Sequence, residues 1–348
     1  SSFQTGLSLN NVRTPNVGTL QVGLSLSERN LSGHGDRFDF TYHHTEGSDG
    51  LSVGYEIPIN AKNGSLGLTY NQSNSQIIES SVESLGIRSD SQYLDLTWRQ
   101  PLIRTPRQEL ALGFTGSYRH SRAIFGEEIF GESFPFPTPG ADETGKTQVT
   151  ALRFFQEWTA RSETEAFALR SQFSFGVGAL GATINADAPD SRFFSWRGQA
   201  QWRRRLWPNT FLLMGADVQL ADRALLPAEQ FALGGLGSVR GYRQNLLLAD
   251  NGVAATAEVW VPVVRVPNPD VNGILHIVPF VDVGTVWDNG DAPAFDPNVL
   301  AATGLGLRWQ QEHISMRLDW GIPLIEDNNQ GNSLQENGIY FSLQLNRL

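Results

Sequence analysis

The sequence predicts an all-β fold, a single transmembrane antiparallel β-barrel of about sixteen strands with an extracellular loop inserted in its lumen. Three observations predict it. Apolar and polar residues alternate from one end of the 348-residue chain to the other. Thirty-five glycines, twenty Phe, nine Trp and seven Tyr beside only two Met suit twisted antiparallel sheet better than packed helices. The polar face carries Arg, Asp, Gln, Ser and Gly, while the apolar face carries large aromatics near segment ends. A soluble sandwich also alternates, so the polar-face composition decides: it suits a wet lumen inside a lipid-facing wall with aromatic girdles.

The elements follow from that period of two. Leu20, Val22, Leu24 and Leu26 oppose Gln21, Gly23, Ser25 and Ser27. Leu94, Leu96 and Trp98 alternate with Asp95, Thr97 and Arg99; Leu110, Leu112, Phe114 and Tyr118 with Gly113, Thr115, Ser117 and Arg119. Phe194, Trp196, Ala200 and Trp202 interleave with Arg197, Gln199, Gln201 and Arg203, and Met316, Leu318 and Trp320 with Arg317 and Asp319. Strands are expected at 2–13, 18–30, 36–46, 48–59, 64–77, 91–104, 108–123, 146–161, 165–178, 193–208, 210–222, 252–264, 274–288, 299–311, 314–325 and 337–348. Connections after even strands are mostly short (60–64, 105–107, 208–209, 311–313), and those after odd strands mostly long (124–145, 179–192, 223–251, 289–298, 326–336). Short periplasmic turns and long outer loops are the barrel rule, which places both termini in the periplasm and loop 223–251 outside. No linker or repeat divides residues 1–348, so one barrel domain accounts for all of them.

Composition excludes several functions. Hydrophobic content is 40 %, yet no run approaches a membrane helix; the most apolar one, 274–287, is broken by His276, Pro279 and Asp282. The absence of cysteine excludes disulfides and thiolate metal sites. A net charge of −10 argues against nucleic acid as a partner. The chain opens on Ser1-Ser2-Phe3 without a basic or apolar leader, which suggests a processed or truncated form.

Two segments carry the functional signal. Residues 230–245 run Gln-Phe-Ala-Leu-Gly-Gly-Leu-Gly-Ser-Val-Arg-Gly-Tyr-Arg-Gln-Asn, too glycine-rich for a helix, with Arg240 between Val239 and Gly241-Tyr242. About forty residues later, Phe280, Asp282 and Gly284 share one strand face. An arginine on a folded-in loop and an aspartate on a strand suggest an ion pair inside the barrel. Gly234, Gly235, Gly237 and Gly241 lack the helix and the Lys-Ser/Thr of a phosphate loop; their expected role is tight turning of the backbone. Adjacent His43 and His44 point to opposite faces, and His34, His120, His276 and His313 lack ligand spacing, so no metal site is expected. No Gly-x-Ser-x-Gly elbow occurs, and neither catalysis nor a cofactor is expected. The outer loop 127–144, with Phe-Pro-Phe-Pro-Thr-Pro at 134–139, is an ordinary surface loop or an exit-side contact.

Several of these stretches resemble the Omp85 superfamily, and within it the two-partner secretion transporters that export haemolysins and adhesins. The resemblance rests on Leu226-Pro-Ala-Glu-Gln-Phe-Ala-Leu-Gly-Gly235, Val239-Arg-Gly-Tyr242, Asp250-Asn-Gly252 and Phe280-x-Asp-x-Gly284, in that order. Weaker pieces are Gly304-Leu-Gly-Leu-Arg308, Arg317 to Leu324, and Asn30 to Asp36. The resemblance implies a sixteen-strand barrel whose sixth outer loop folds into the lumen and brings Arg240 to Asp282. It implies a bacterial outer-membrane pore that passes an unfolded exoprotein outward, as a monomer in outer-membrane lipid, inserted by the barrel assembly machinery. Two departures stand out: the chain opens on its first strand, so POTRA domains and a plug helix are expected to be absent, and it ends on Leu348 rather than an aromatic.

Alternatives stay open at this stage. The Arg240–Asp282 pair is a latch that sets the secreting state, or one structural salt bridge among many. Lumen charges Arg99, Arg119, Arg170, Arg197, Arg203, Arg308 and Arg317 line a conduit, or pair with Asp95, Glu258 and Asp319 to stiffen the wall. The chain is a secretion pore, an Omp85-type assembly factor working through a weak seam between its first and last strands, or a passive porin.

Overall fold

The computed structural model describes residues 3–266, 272–290, 295–327 and 331–347. Its sixteen barrel strands are β1 (Phe3–Asn10), β2 (Gln21–Arg29), β3 (Arg37–Thr45), β4 (Ser48–Pro58), β5 (Ser65–Gln76), β6 (Arg88–Arg104), β7 (Gln108–Phe125) and β8 (Lys146–Arg161), followed by β9 (Glu165–Val177), β10 (Phe194–Trp207), β11 (Thr210–Ala221), β12 (Asn251–Val266), β13 (Gly273–Trp287), β14 (Val299–Gln310), β15 (Ile314–Pro323) and β16 (Ile339–Arg347). Each pairs antiparallel with its sequence neighbours, and β1 closes on β16 from Thr5–Arg347 to Asn10–Ser342.

Where boundaries differ from the expectation, side chains explain the difference. The first strand stops at Asn10 because Asn11 turns away, giving its Nδ2 to the Ile339 carbonyl at 2.9 Å and accepting the Phe341 amide at 2.7 Å. The sixth and seventh strands run farther, with Arg88 still opposite Ile124. Register shifts fall at Pro101 and Pro262, residues that cannot donate to a ladder. The β3–β4 link is only Glu46-Gly47, although it lies at the long-loop end. There the first loop substitutes for length: the Gly47 amide donates to Val17 at 3.0 Å, and the Gly47 carbonyl accepts from Gln76 at 2.8 Å.

The wall is inverted relative to a soluble protein. Leu68, Leu96, Phe114, Leu152, Met214, Val281, Leu305 and Leu318 are exposed on its outer face, an apolar belt that only lipid would cover. Among the described residues no helix is long and apolar enough to cross a membrane; strands do so here. The inner face holds charge: Arg99 lies 2.6 Å from Glu109 and 2.9 Å from Glu157, which Arg170 also contacts, and Arg197 lies 2.6 Å from Asp217. The buried apolar clusters lie inside, where the long β11–β12 connection meets the wall. One joins Phe231, Leu233, Val239 and Tyr242 of that loop to Ala254, Val286, Leu300 and Ala302, the other joins Leu225 and Leu226 to Val149, Ala151 and Phe193.

Candidate functional site

The β11–β12 loop descends into the barrel as a structured element. Its limbs pair as a short hairpin, 231–233 against 247–249. Below the hairpin, Gly234 (φ 108°) and Gly235 (φ 91°) adopt conformations that a side chain would strain. The Gly234 amide donates to Ser238 Oγ at 2.8 Å, and the Gly235 amide to the Val239 carbonyl at 2.9 Å. This tight turn drives Arg240 sideways into the wall.

Arg240 is 3 % exposed at its side chain and Asp282, on β13, 0 %. Nε and Nη2 donate to the two Asp282 oxygens at 2.7 Å each, and the Arg240 amide adds a third bond at 3.1 Å. Nη1 contacts Glu258 on β12 and stands 3.5 Å from Asp319 on β15, while Nη2 reaches Thr256 Oγ1 at 3.1 Å. The guanidinium carbon lies 3.4 Å from the centre of the Phe280 ring. Arg308 and Arg317 complete the group, donating to the two Asp319 oxygens at 2.6 and 2.5 Å. Three guanidiniums thus face three carboxylates, Asp282, Glu258 and Asp319. The balance matters, because buried charges persist only when paired and hydrogen-bonded. This geometry differs from the water-solvated pair worth about 0–1 kcal/mol that an open lumen would give.

Each member of the strand motif meets the loop. Phe280 supplies the ring, Asp282 the carboxylate, and Gly284 the space: a Cβ there would collide with Leu233. Gly304 plays the same part for Phe280, since a Cβ would sit 2.5 Å from that ring. Gly241 (φ 98°) passes so close to β15 that a Cβ on Gly321 would lie 2.6 Å from the Gly241 nitrogen. The Tyr242 hydroxyl lies 2.9 Å from the Ala301 carbonyl and 2.8 Å from that of Ile325, tying the loop to β14 and to the β15–β16 connection.

Sequence reasoning missed several partners. Tyr340, fully buried on β16, accepts the Gly241 amide at 3.0 Å and donates to the Tyr242 carbonyl. Its alternation with Ile339 and Phe341 marks it only as inward-facing. A second anchor was also missed. Glu229, where the loop enters the lumen, lies 2.7 Å from Arg153 on β8 and 3.1 Å from Arg119 on β7. Arg153 is held in turn by Ser117 Oγ at 3.0 Å and Ser174 Oγ at 2.9 Å. In the ring of sixteen strands, β8 stands five strands from β13. The loop is therefore held at two separated places on the wall, by an arginine at one and a glutamate at the other.

The remaining lumen charges stand apart from this cluster. Arg99 and Arg197 pair with wall acids as described. Arg203 lies over the Phe211 ring at 3.9 Å, and Asp95 accepts the Ser117 hydroxyl at 2.5 Å. Among the described residues no group of three or more potential ligands could hold a metal ion. The outer loop at 134–139 packs down: the Phe136 amide donates to Ala123 at 3.0 Å, and Phe134 and Phe136 contact the Phe125 ring.

A closed barrel with an apolar exterior, holding one of its own loops by buried ion pairs, defines the class: an outer-membrane β-barrel of the Omp85 type. The profile of the family described as haemolysin secretion/activation protein ShlB/FhaC/HecB matches residues 1–309, and the chain belongs to that family. It is 27 % identical over 161 residues to the outer membrane transporter CdiB of Escherichia coli O6:K15:H31 (strain 536 / UPEC), a match covering 45 % of this chain and 27 % of the transporter. The outer membrane protein assembly factor BamA of Nitratidesulfovibrio vulgaris is 26 % identical over 193 residues, covering 52 % of this chain and 23 % of BamA. Among solved structures, CdiB from Escherichia coli superposes with a TM-score of 0.80 at 21 % identity, covering 100 % of this chain and 63 % of that one. BamA from Haemophilus ducreyi lacking POTRA domains 1–3 gives 0.68 at 14 % identity, covering 99 % and 70 %. At these identities the likeness is one of fold.

Proposed function

We propose that this barrel is the translocation unit of a two-partner secretion transporter, passing an unfolded exoprotein outward through its lumen. The observation that supports it best is the internal loop, held at two separated places on the wall by Arg240 on Asp282 and Glu229 on Arg153. Space remains beside the loop, between its tip at Gly237-Ser238 and the β6–β12 wall, where a cavity of about 400 Å³ is lined by Arg99, Arg170 and Asp217. The short turns and both termini face the periplasm in this proposal, the barrel works as a monomer in outer-membrane lipid, and the assembly machinery inserts it. Arg240 and Asp282 act as the latch that keeps the loop seated while cargo passes or until it arrives. No chemical step is involved, so neither enzymatic turnover nor a cofactor is invoked.

The test is export of the exoprotein encoded beside the gene by the whole transporter, wild type against Arg240→Ala and Asp282→Ala, with barrel insertion verified by heat-modifiable mobility. Export should fall sharply in both while insertion persists; full export in both would reduce the pair to a structural contact. One feature favours a second reading, an assembly factor. The β1–β16 ladder runs only from Thr5 to Asn10, the shortest in the described barrel. Accumulation of unassembled barrels on depletion, with export unchanged, would support that alternative.

A further inference from the structure

At the short-turn end the lumen opens into a second cavity, of about 810 Å³, between the loop tip and the β6–β12 wall. Six arginines line it, Arg104, Arg107, Arg161, Arg203, Arg240 and Arg317, against two carboxylates, Glu109 and Glu258. Both carboxylates are engaged, Glu109 by Arg99 and Arg104, Glu258 by Arg240. Asp282 and Asp319 balance Arg240 and Arg317. That leaves Arg107, Arg161 and Arg203, for which no carboxylate partner occurs among the described residues. Arg161 gives its Nε to the Pro106 carbonyl at 2.8 Å, and Arg203 rests on the Phe211 ring.

Their placement is ordered. Ala166 on β9 is opposite Arg161 of β8 on one side and Arg203 of β10 on the other. The Arg161 amide donates to the Arg107 carbonyl at 2.8 Å, which continues the row onto the β6–β7 turn. A line of three guanidiniums therefore crosses four neighbouring strand ends on the inner face of a chain whose net charge is −10. In a cleft with low-dielectric walls such a line focuses the field and concentrates anions. Arg161 and Arg203 stand two strand spacings apart, roughly 10 Å. A single phosphate is too small to bridge that gap, whereas about three residues of extended chain span it.

We propose that this row is a binding site for an acidic segment of extended polypeptide, its spaced carboxylates received by Arg107, Arg161 and Arg203 through charge-assisted pairs. The site deepens the secretion reading and rests on it for its biological meaning: the cargo would meet these arginines on entering the lumen.

The experiment is fluorescence anisotropy of the whole transporter in detergent with a labelled ten-residue peptide of alternating Asp and Ser, and with its Lys counterpart. The acidic peptide should bind and the basic one should not. Arg161→Gln combined with Arg203→Gln should weaken binding about tenfold or more, as should raised salt. Arg161→Lys with Arg203→Lys should restore much of it, and Arg204→Gln, which removes a neighbouring charge that pairs with Glu165 outside this row, should leave it intact. Heat-modifiable mobility verifies folding in every variant. Unchanged affinity in the double Gln variant overturns the proposal, as does complete displacement of the peptide by millimolar inorganic phosphate, which would indicate a small-oxyanion site. Binding needs no export, so intact peptide binding beside unaffected export in a transporter deletion would sink the secretion reading and leave the site standing.

Discussion

Asp282→Asn isolates the charge of the latch while keeping its shape. The carboxylate receives two charge-assisted bonds from Arg240 side-chain nitrogens, both at 2.7 Å, and one from the Arg240 amide. Hydrogen bonds to charged groups contribute about 1.5–3 kcal/mol each, and losing one partner of a buried pair costs about 3–5 kcal/mol. Glu258 and, at 3.5 Å, Asp319 remain to compensate Arg240, so the low end applies, about 3 kcal/mol for seating the loop. That corresponds to roughly a 150-fold rise in the unseated population. A cysteine placed at Val239, fully buried in the loop, should report it, because labelling by a hydrophilic maleimide follows the open fraction when reclosing is fast. Labelling of Val239→Cys should therefore accelerate about 100-fold or more when Asp282→Asn is added. Acceleration below about fivefold would mean a contact worth only about 1 kcal/mol, as for a solvated pair, and the argument from burial would be wrong.

The second anchor should behave independently. Glu229→Gln leaves Arg153 with two serine hydroxyls and should cost about 2 kcal/mol; combined with Asp282→Asn, the effects on Val239→Cys labelling should multiply, since the two anchors share no partners. Tyr340→Phe removes the acceptor of the Gly241 amide and should raise the same labelling by about 1–3 kcal/mol equivalent. Gly304→Val places a Cβ against the Phe280 ring and should reduce the folded, heat-modifiable fraction. In the β2–β3 turn, burial would raise the Asp36 pKa, but the Ser32 hydroxyl and amide, at 2.8 and 3.0 Å, bring it down to about 2 from 3.8. A carboxylate held low stabilises its turn above the unfolded value. That support should therefore be full above pH 4, decline progressively as pH falls below it, and be gone near pH 2, where a carboxyl carbon NMR titration would place the folded-state midpoint.

The barrel was legible because lipid outside and water inside impose a period of two on every strand, so Leu94-x-Leu96-x-Trp98 declares its face without knowledge of neighbours. Arg240 and Asp282 were legible for a different reason: they sit in two recognisable motifs, Val239-Arg-Gly-Tyr242 in a glycine-rich loop and Phe280-x-Asp-x-Gly284 on a strand about forty residues later. Their partners were not. Tyr340 follows the ordinary alternation of its strand, and Glu229 lies in a recognisable segment whose counterpart, Arg153, is 76 residues away. Such pairings depend on where the loop crosses the lumen, and strand periodicity carries no information about that. The same geometry bears on mechanism. Three cations against three anions make burial of the cluster affordable, yet a balanced buried cluster contributes less net stability than an apolar core of equal volume would. What it specifies is position, because each guanidinium fits its carboxylate in one register. The loop does not rest on charge alone: Phe231, Leu233, Val239 and Tyr242 pack against Ala254, Val286, Leu300 and Ala302, so unseating it exposes apolar surface, at about 25 cal/mol for each Å², as well as breaking the ion pairs.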